Sequence, residues 1–269
     1  MFGFNHFISL SRVALKSTTS TVRDVFISDV KRVHKQHQVE KYIADRTPLF
    51  YRDFEKIVQA MNPFFVTTLV DTLQKLPTSE SFQESHFGEI VSAIFAEEIV
   101  GLKIIYNKLS LLTSENANAY KMDLVLYDPS QDPIDIIFGE VKSSPKVVLD
   151  SIPANHHKSC YPDMFRSLNN YTDRDLNFDL GAAKDRIEAS EDKDRLKAVL
   201  MPYSGMEIKY VGFAVVDHSS KSDDEIKMLG SRSCNKNLVS IDVVCVENYP
   251  EVAANVFKKL EAIKSACLL

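Results

Sequence analysis

The sequence has little cysteine, no long apolar run and no excess of basic charge, and each shortage removes a class of explanation. Its four cysteines, Cys160, Cys234, Cys245 and Cys267, are scattered with no C-x-x-C pair. That spacing offers neither a disulfide framework nor a zinc site, and reduced, mostly buried thiols are expected. His156 and His157 lie near Cys160, but no second pair at metal-ligand spacing accompanies them, so the segment reads as a polar loop. No stretch of about 18 apolar residues occurs, which argues against a membrane-spanning helix. In the opening MFGFNHFISLSRVALK, Asn5, His6, Ser9 and Arg12 break any signal-peptide core, so a cytoplasmic protein with no membrane partner is expected.

The formal net charge of −5 argues against a free-standing, high-affinity DNA binder, because phosphate contacts dominate such affinity. It leaves room for an enzyme that receives nucleic acid from a partner or holds it in a local groove. Basic residues cluster at Lys31, Arg32, His34, Lys35 and His37, a run that reads as a solvated helix face. No internal repeat or low-complexity segment is visible.

What is present is an ordinary globular composition. The 269 residues, 45% hydrophobic and 26% charged, suffice for one or two domains. Residues 1–45 suggest a strand or two and then a helical run around Val25–Ala44, with a break at Pro48. A helical pattern from Leu49 to Leu76 is interrupted at Asn62–Pro63. A further helix begins at Thr78 or Ser79 and runs to Val100 before Gly101, with Phe87, Ile90, Val91, Ile94 and Phe95 as its buried stripe. Leu102–Ser110 reads as a strand. From Pro145 to about Asn177 the chain looks irregular, a groove lining or a lid. Leu180–Leu200 reads as one or two helices, Tyr210–Val216 and Val239–Val246 as inner strands, and Pro250–Ala266 as an amphipathic helix. Strands interrupted by helices in this way indicate an α/β core with helices on both faces.

The informative stretch is Met122–Ser144, MDLVLYDPSQDPIDIIFGEVKSS. Two apolar runs, Met122–Tyr127 and Ile134–Val141, flank six turn-favouring residues, the pattern of a β-hairpin. Pairing Tyr127 with Ile134 sets Asp123 opposite Phe138 and diagonal to Glu140. Side chains alternate along a strand, so Glu140 and Lys142 share a face while Val141 points into the opposite layer. A slip of one residue would turn Asp123 away and dismantle the cluster.

Asp…Glu-x-Lys is the arrangement of the PD-(D/E)xK nucleases. Mg²⁺ (or Mn²⁺) is a hard cation that prefers oxygen ligands, and Asp123, Glu140 and the Val141 carbonyl supply them. Such an ion activates water and neutralises charge developing on a phosphodiester, while Lys142 orients the nucleophile or stabilises the transition state. A further carboxylate from the preceding helix is expected at Glu89, with Glu84 and Glu98 as alternatives, since the helical wheel sets Glu89 off the buried stripe.

The helix–strand–strand–strand order with Gly88-Glu89, Asp123 and Glu140-Val141-Lys142 resembles the restriction-endonuclease-like core. More narrowly, FGEIVSAIF, MDLVLYD and IIFGEVKSS resemble the nuclease subunit (HamA) of the Hachiman antiphage defence system over about residues 80–145. Met122 stands where the family pattern has Pro before the Asp. The resemblance implies an α/β fold with a PD-(D/E)xK core, a mixed sheet flanked by helices, over residues 79–269, and a mainly helical accessory region over residues 1–78. It also implies a Mg²⁺-dependent deoxyribonuclease that acts in bacterial defence under the control of a helicase-like ATPase. Two other readings compete: a non-catalytic DNA-binding or assembly subunit with a nuclease-like fold, and a hydrolase of RNA or nucleotides using the same metal logic.

Overall fold

A computed structural model describes residues 3–13, 24–30, 36–51, 65–112, 121–144, 160–201, 207–221 and 223–267. Its centre is one seven-stranded mixed sheet in the order β1-β2-β7-β6-β5-β4-β3. The strands are β1 (Ile8–Val13), β2 (Asp24–Val30), β3 (Lys103–Asn107), β4 (Leu124–Asp128), β5 (Asp135–Ser144), β6 (Ile208–Asp217) and β7 (Leu238–Val246). The four central strands β2, β7, β6 and β5 run parallel, and both margins are antiparallel. Strands buried on two faces read as continuous apolar runs, which is why VGFAVVD in β6 and IDVVCV in β7 are legible as inner strands.

Helices cover both faces, as expected. On one side pack α1 (Gln36–Tyr51), α2 (Phe65–Leu73), α3 (Glu80–Phe95) and the C-terminal α8 (Tyr249–Cys267). On the other lie α4 (Cys160–Asn170), α5 (Asp173–Lys184), α6 (Lys193–Leu200) and the short α7 (Asp223–Met228). The expected stripe of α3 is buried throughout, from Phe87 to Phe95. After a π-type turn at Ala96–Val100 the helix ends on Gly101, whose φ of 84° is the left-handed conformation glycine adopts without penalty.

Several expectations are corrected. Residues 24–30 form a strand, and α1 begins only at Gln36. The N-terminal residues therefore contribute β1 and β2, and β2 enters the same sheet as the 79–269 segment by pairing with β7. The extension is not only helical, because VFISDV alternates side chains that fit a β-strand beside β7. Pro48 lies inside α1 rather than breaking it; the Thr47 hydroxyl donates to the Ile43 carbonyl at 2.8 Å in the same turn. Of the stretch that looks irregular, Cys160–Asn170 and the residues from Asp173 onward are helical. Pro162 falls in the first turn of α4, where its missing N–H is not needed, and Thr172 starts α5 through a reciprocal capping box with Asp175. Phe54, Ile57, Val58 and Met61, His156 and His157, and Lys31, Arg32, His34 and Lys35 lie outside the described residues.

Candidate active site

The β4–β5 hairpin forms with a register two residues away from the expected one. Tyr127 pairs with Ile136, Leu124 pairs with Gly139, and Asp128 and Asp135 close the ladder. The turn is thus Pro129–Ile134. The Ser130 amide and hydroxyl both donate to Asp128 Oδ1, at 2.9 and 2.6 Å, and Lys209 pairs with Asp135 across to β6. These polar partners make Asp128 a strand end paired with Asp135, not a turn residue, and Ile134 falls in the turn instead. A shift of two preserves the face, so Asp123 keeps the side expected for it, now directly opposite Glu140 when the register is continued by one step.

The same step on the other flank sets Lys108, just past β3, opposite Asp123, since Asn107 pairs with Leu124. Residues 108, 123 and 140 therefore make a row across three adjacent strands. The Lys108 amide donates to the Asp123 carbonyl at 2.8 Å, and its ammonium lies 3.1 Å from Asp123 Oδ1. Asp123 Oδ2 accepts from the Val141 amide at 2.8 Å. That amide is free for a side chain because β5 runs past the start of β4, so the β4-facing edge of residues beyond Gly139 has no ladder partner. The Val141 carbonyl on this edge accepts from Lys142 Nζ at 3.3 Å, and Lys142 also pairs with Glu140 Oε1.

Glu89 reaches the row from α3. The helix meets β5 at Gly88, where a Cβ would come within 2.8 Å of the Ser143 Cβ and 3.1 Å of the Tyr249 hydroxyl. The Tyr249 hydroxyl in turn donates to the Glu84 carbonyl at 2.6 Å. Only glycine permits this approach, and the next residue is thereby brought to the carboxylates. Burial first, and then the charge of Asp123, pushes the Glu89 pKa well above the glutamate range. Glu140 is raised for the same two reasons, against the lowering influence of Lys142. Burial opposes the charge on Lys108 and Lys142, but the neighbouring carboxylates more than offset it and raise both. His86, buried one turn before Ile90 and in contact with the Tyr51 hydroxyl at 2.6 Å, is depressed to about 4 by burial and by the charge of Lys108.

Three carboxylates thus face two ammonium groups. Glu89 Oε2 and Glu140 Oε2 are both closed off from solvent with no hydrogen-bond partner among the described residues, although native buried polar atoms are nearly always paired. Orphaned carboxylate oxygens fit a hard cation by donor chemistry. Among the described residues, however, no three acidic, histidine or cysteine side chains stand in a ready-made metal group; both oxygens of Asp123 are engaged by Lys108 and Val141. Beside Glu140 and Lys142 opens a cleft of about 350 Å³, walled on the α4 side by Arg166, Ser167 and Asn170 and bordered by Lys121. That volume lies within the range of small-molecule pockets, roughly 300–1,000 Å³.

A family model for HamA matches residues 4–260. The chain belongs to the HamA family. The family is that of the Hachiman antiphage defence system, a multi-subunit system, and membership implies involvement in that defence. No curated protein matches the chain. The match extends well beyond the residues that carried the resemblance and takes in β1, β2 and most of α8.

In this HamA-family chain the structure brings Glu89, Asp123, Glu140, Val141 and Lys142 to one end of the sheet. Of the other helix-borne candidates, Glu98 is engaged elsewhere: it accepts from the Phe4 amide at 2.7 Å and from the Tyr42 hydroxyl, and pairs with Arg46 at 3.1 Å. Glu84 contributes its backbone carbonyl to Tyr249. Lys108 was not anticipated from the sequence, because in LKIIYNKLS it looks like any polar strand-end residue and only strand order reveals its neighbours. Among the described residues no helix is long and apolar enough to cross a membrane.

Proposed function

We propose that this HamA-family chain is the nuclease of its defence system: a divalent-metal-dependent deoxyribonuclease with a PD-(D/E)xK core, controlled by a helicase-like ATPase partner. The observation that carries the reading is the convergence of Glu89, Asp123 and Glu140 with Lys142 beside an open cleft, two of the carboxylates having buried oxygens that lack a partner. Glu89, Asp123, Glu140 and the Val141 carbonyl would hold Mg²⁺ or Mn²⁺. The ion supplies an activated water and neutralises charge building on the phosphate.

The chain's own residues do the rest. Lys142, anchored between Glu140 and the Val141 carbonyl, aligns the attacking water and faces the extra negative charge of the phosphorane-like transition state. Hydrolysis forms one bond from water oxygen to phosphorus and breaks one bond from phosphorus to a deoxyribose oxygen, the proton the water gives up being balanced by the one the leaving oxygen takes. Lys121 and Arg166 are the cations at the cleft beside Lys142 that would meet flanking phosphates, Arg166 being paired with Asp163 at 2.8 Å and Asp175 also lining the cleft. The small number of these cations, with the net charge of −5, is consistent with DNA delivered by the ATPase partner instead of captured unaided.

One observation favours the second reading, a non-catalytic DNA-binding or assembly subunit: Asp123 is fully engaged by Lys108 and Val141. Plasmid cleavage with Mg²⁺, with and without the ATPase subunit, decides between them. Cleavage by the wild type that is lost in Glu140→Ala and with EDTA is the expected result. Inactivity that persists with the partner present moves the assignment to the second reading.

A further inference from the structure

Lys108 is the element of the site with no role in the proposed reaction. Its ammonium, 16% exposed, sits 3.1 Å from Asp123 Oδ1, and Asp123, Glu89 and Glu140 all bear on its charge. Lys142, the other cation, is tied to Glu140 and the Val141 carbonyl on the far side of the row. Lys108 is therefore the cation bonded directly to Asp123, acting with Lys142 on Glu89, and it occupies the one oxygen of Asp123 not taken by the backbone.

We infer that Lys108 is a resident counter-cation of the carboxylate row, and that a divalent ion enters by displacing its ammonium from Asp123 Oδ1. The inference rests on the metal-nuclease reading above. Three clustered carboxylates, those of Asp123 and Glu140 buried, repel one another when ionised, and a cation standing among them balances the charge of Asp123 before any metal arrives, while the raised Glu89 and Glu140 hold protons. A lysine suits the task because its compact charge rides on a flexible four-carbon stem. The stem can swing toward solvent while the Lys108 amide stays bonded to the Asp123 carbonyl at 2.8 Å, so the exchange leaves β4 in place. An ion that replaces one positive charge must bring more than one, which makes the site selective for divalent over monovalent cations. Lys108 is on this account a positioning residue that sets metal affinity.

The test is calorimetric titration of the full chain with Mn²⁺ for the wild type, Lys108→Met and Lys108→Arg, with thermal unfolding of each metal-free form. Lys108→Met should bind Mn²⁺ at least about tenfold more tightly, the equivalent of about 1.4 kcal/mol, because Oδ1 is released. Lys108→Arg keeps the charge and should stay near the wild type. Metal-free Lys108→Met should melt below the wild type and recover more on Mn²⁺ addition. Equal or weaker Mn²⁺ binding by Lys108→Met than by a metal-binding wild type overturns this inference alone. If neither binds Mn²⁺, the metal-nuclease reading falls and this inference falls with it. Should Lys108→Met not fold, Lys108→Gln is read by the same criteria.

Discussion

Replacing Gly88 by alanine tests whether helix packing sets the geometry of the carboxylates. The added methyl would stand 2.8 Å from the Ser143 Cβ, where ordinary contact begins at 3.4 Å, so α3 must retreat from β5 by at least about 0.6 Å. Neither obstacle can give way easily: Ser143 belongs to β5, and Tyr249 is fixed by its bond to the Glu84 carbonyl. Overpacking of this kind costs about 1–3 kcal/mol. At roughly 2–4 °C per kcal/mol for a chain approaching this size, the melting temperature should fall by several degrees. Glu89 is the neighbouring residue and moves with the helix. A misplacement approaching 1 Å at a catalytic group can lower the rate by about 10²-fold, so cleavage should drop far more than stability alone explains at a temperature where the variant is folded. Thermal unfolding beside plasmid cleavage, both with Mg²⁺, separates the two effects. A Gly88→Ala protein with wild-type melting temperature and wild-type cleavage would refute the claim that this contact positions Glu89.

Glu98→Gln probes a helix-borne glutamate outside the row. It loses the ion pair with Arg46 and weakens the tie of Phe4 and Tyr42 to the end of α3, which should cost about 1–3 kcal/mol while cleavage at permissive temperature is kept; a collapse of activity in folded protein would contradict the division of labour drawn here. Stability should also depend on pH in two opposite senses. His86, at about 4, stays neutral in the fold while the unfolded chain takes up a proton below about 6.5, so stability falls as pH drops through that window. Glu89 and Glu140 are raised, so the fold holds protons that the unfolded chain has already released, and stability falls as pH rises above the ordinary glutamate value near 4.5. The two effects oppose each other between about 4.5 and 6.5, and above about 6.5 only the carboxylate limb remains, so urea midpoints of the metal-free protein should fall as pH rises from about 6.5 toward 8, and added Mg²⁺ should flatten that fall. A profile unaffected by Mg²⁺ would argue against the ion binding at these carboxylates.

Much of the architecture is legible in the sequence because burial on two faces leaves a plain signature. The apolar runs of β4 to β7 and the stripes of α3 and α8 announce themselves, and a charged residue inside such a run stands out; that is how Asp123, Glu140 and Lys142 are found. Parity along a strand is also local, so the shared face of Asp123 and Glu140 survives a register two residues away from the expected one. Local pattern is less reliable where polar side chains decide. Asp128 looks like a turn residue and is a strand end, Ile134 looks like strand and lies in the turn, and the segment from Cys160 to Asn177 looks irregular yet forms α4 and, from the Thr172 cap, α5.

The residue types, their spacing on β5 and the helix that carries Glu89 are thus properties of the chain itself, fixed by periodicities of two and 3.6 that any folded form must honour. The company these residues keep is not. That β1 and β2 join the sheet through β7, that Lys108 stands opposite Asp123, and that Glu89 rather than Glu98 meets the carboxylates all depend on strand order and on the close seat of Gly88 against Ser143. Those are long-range choices made by packing, and a one-dimensional pattern holds no record of which neighbour a strand or helix will find.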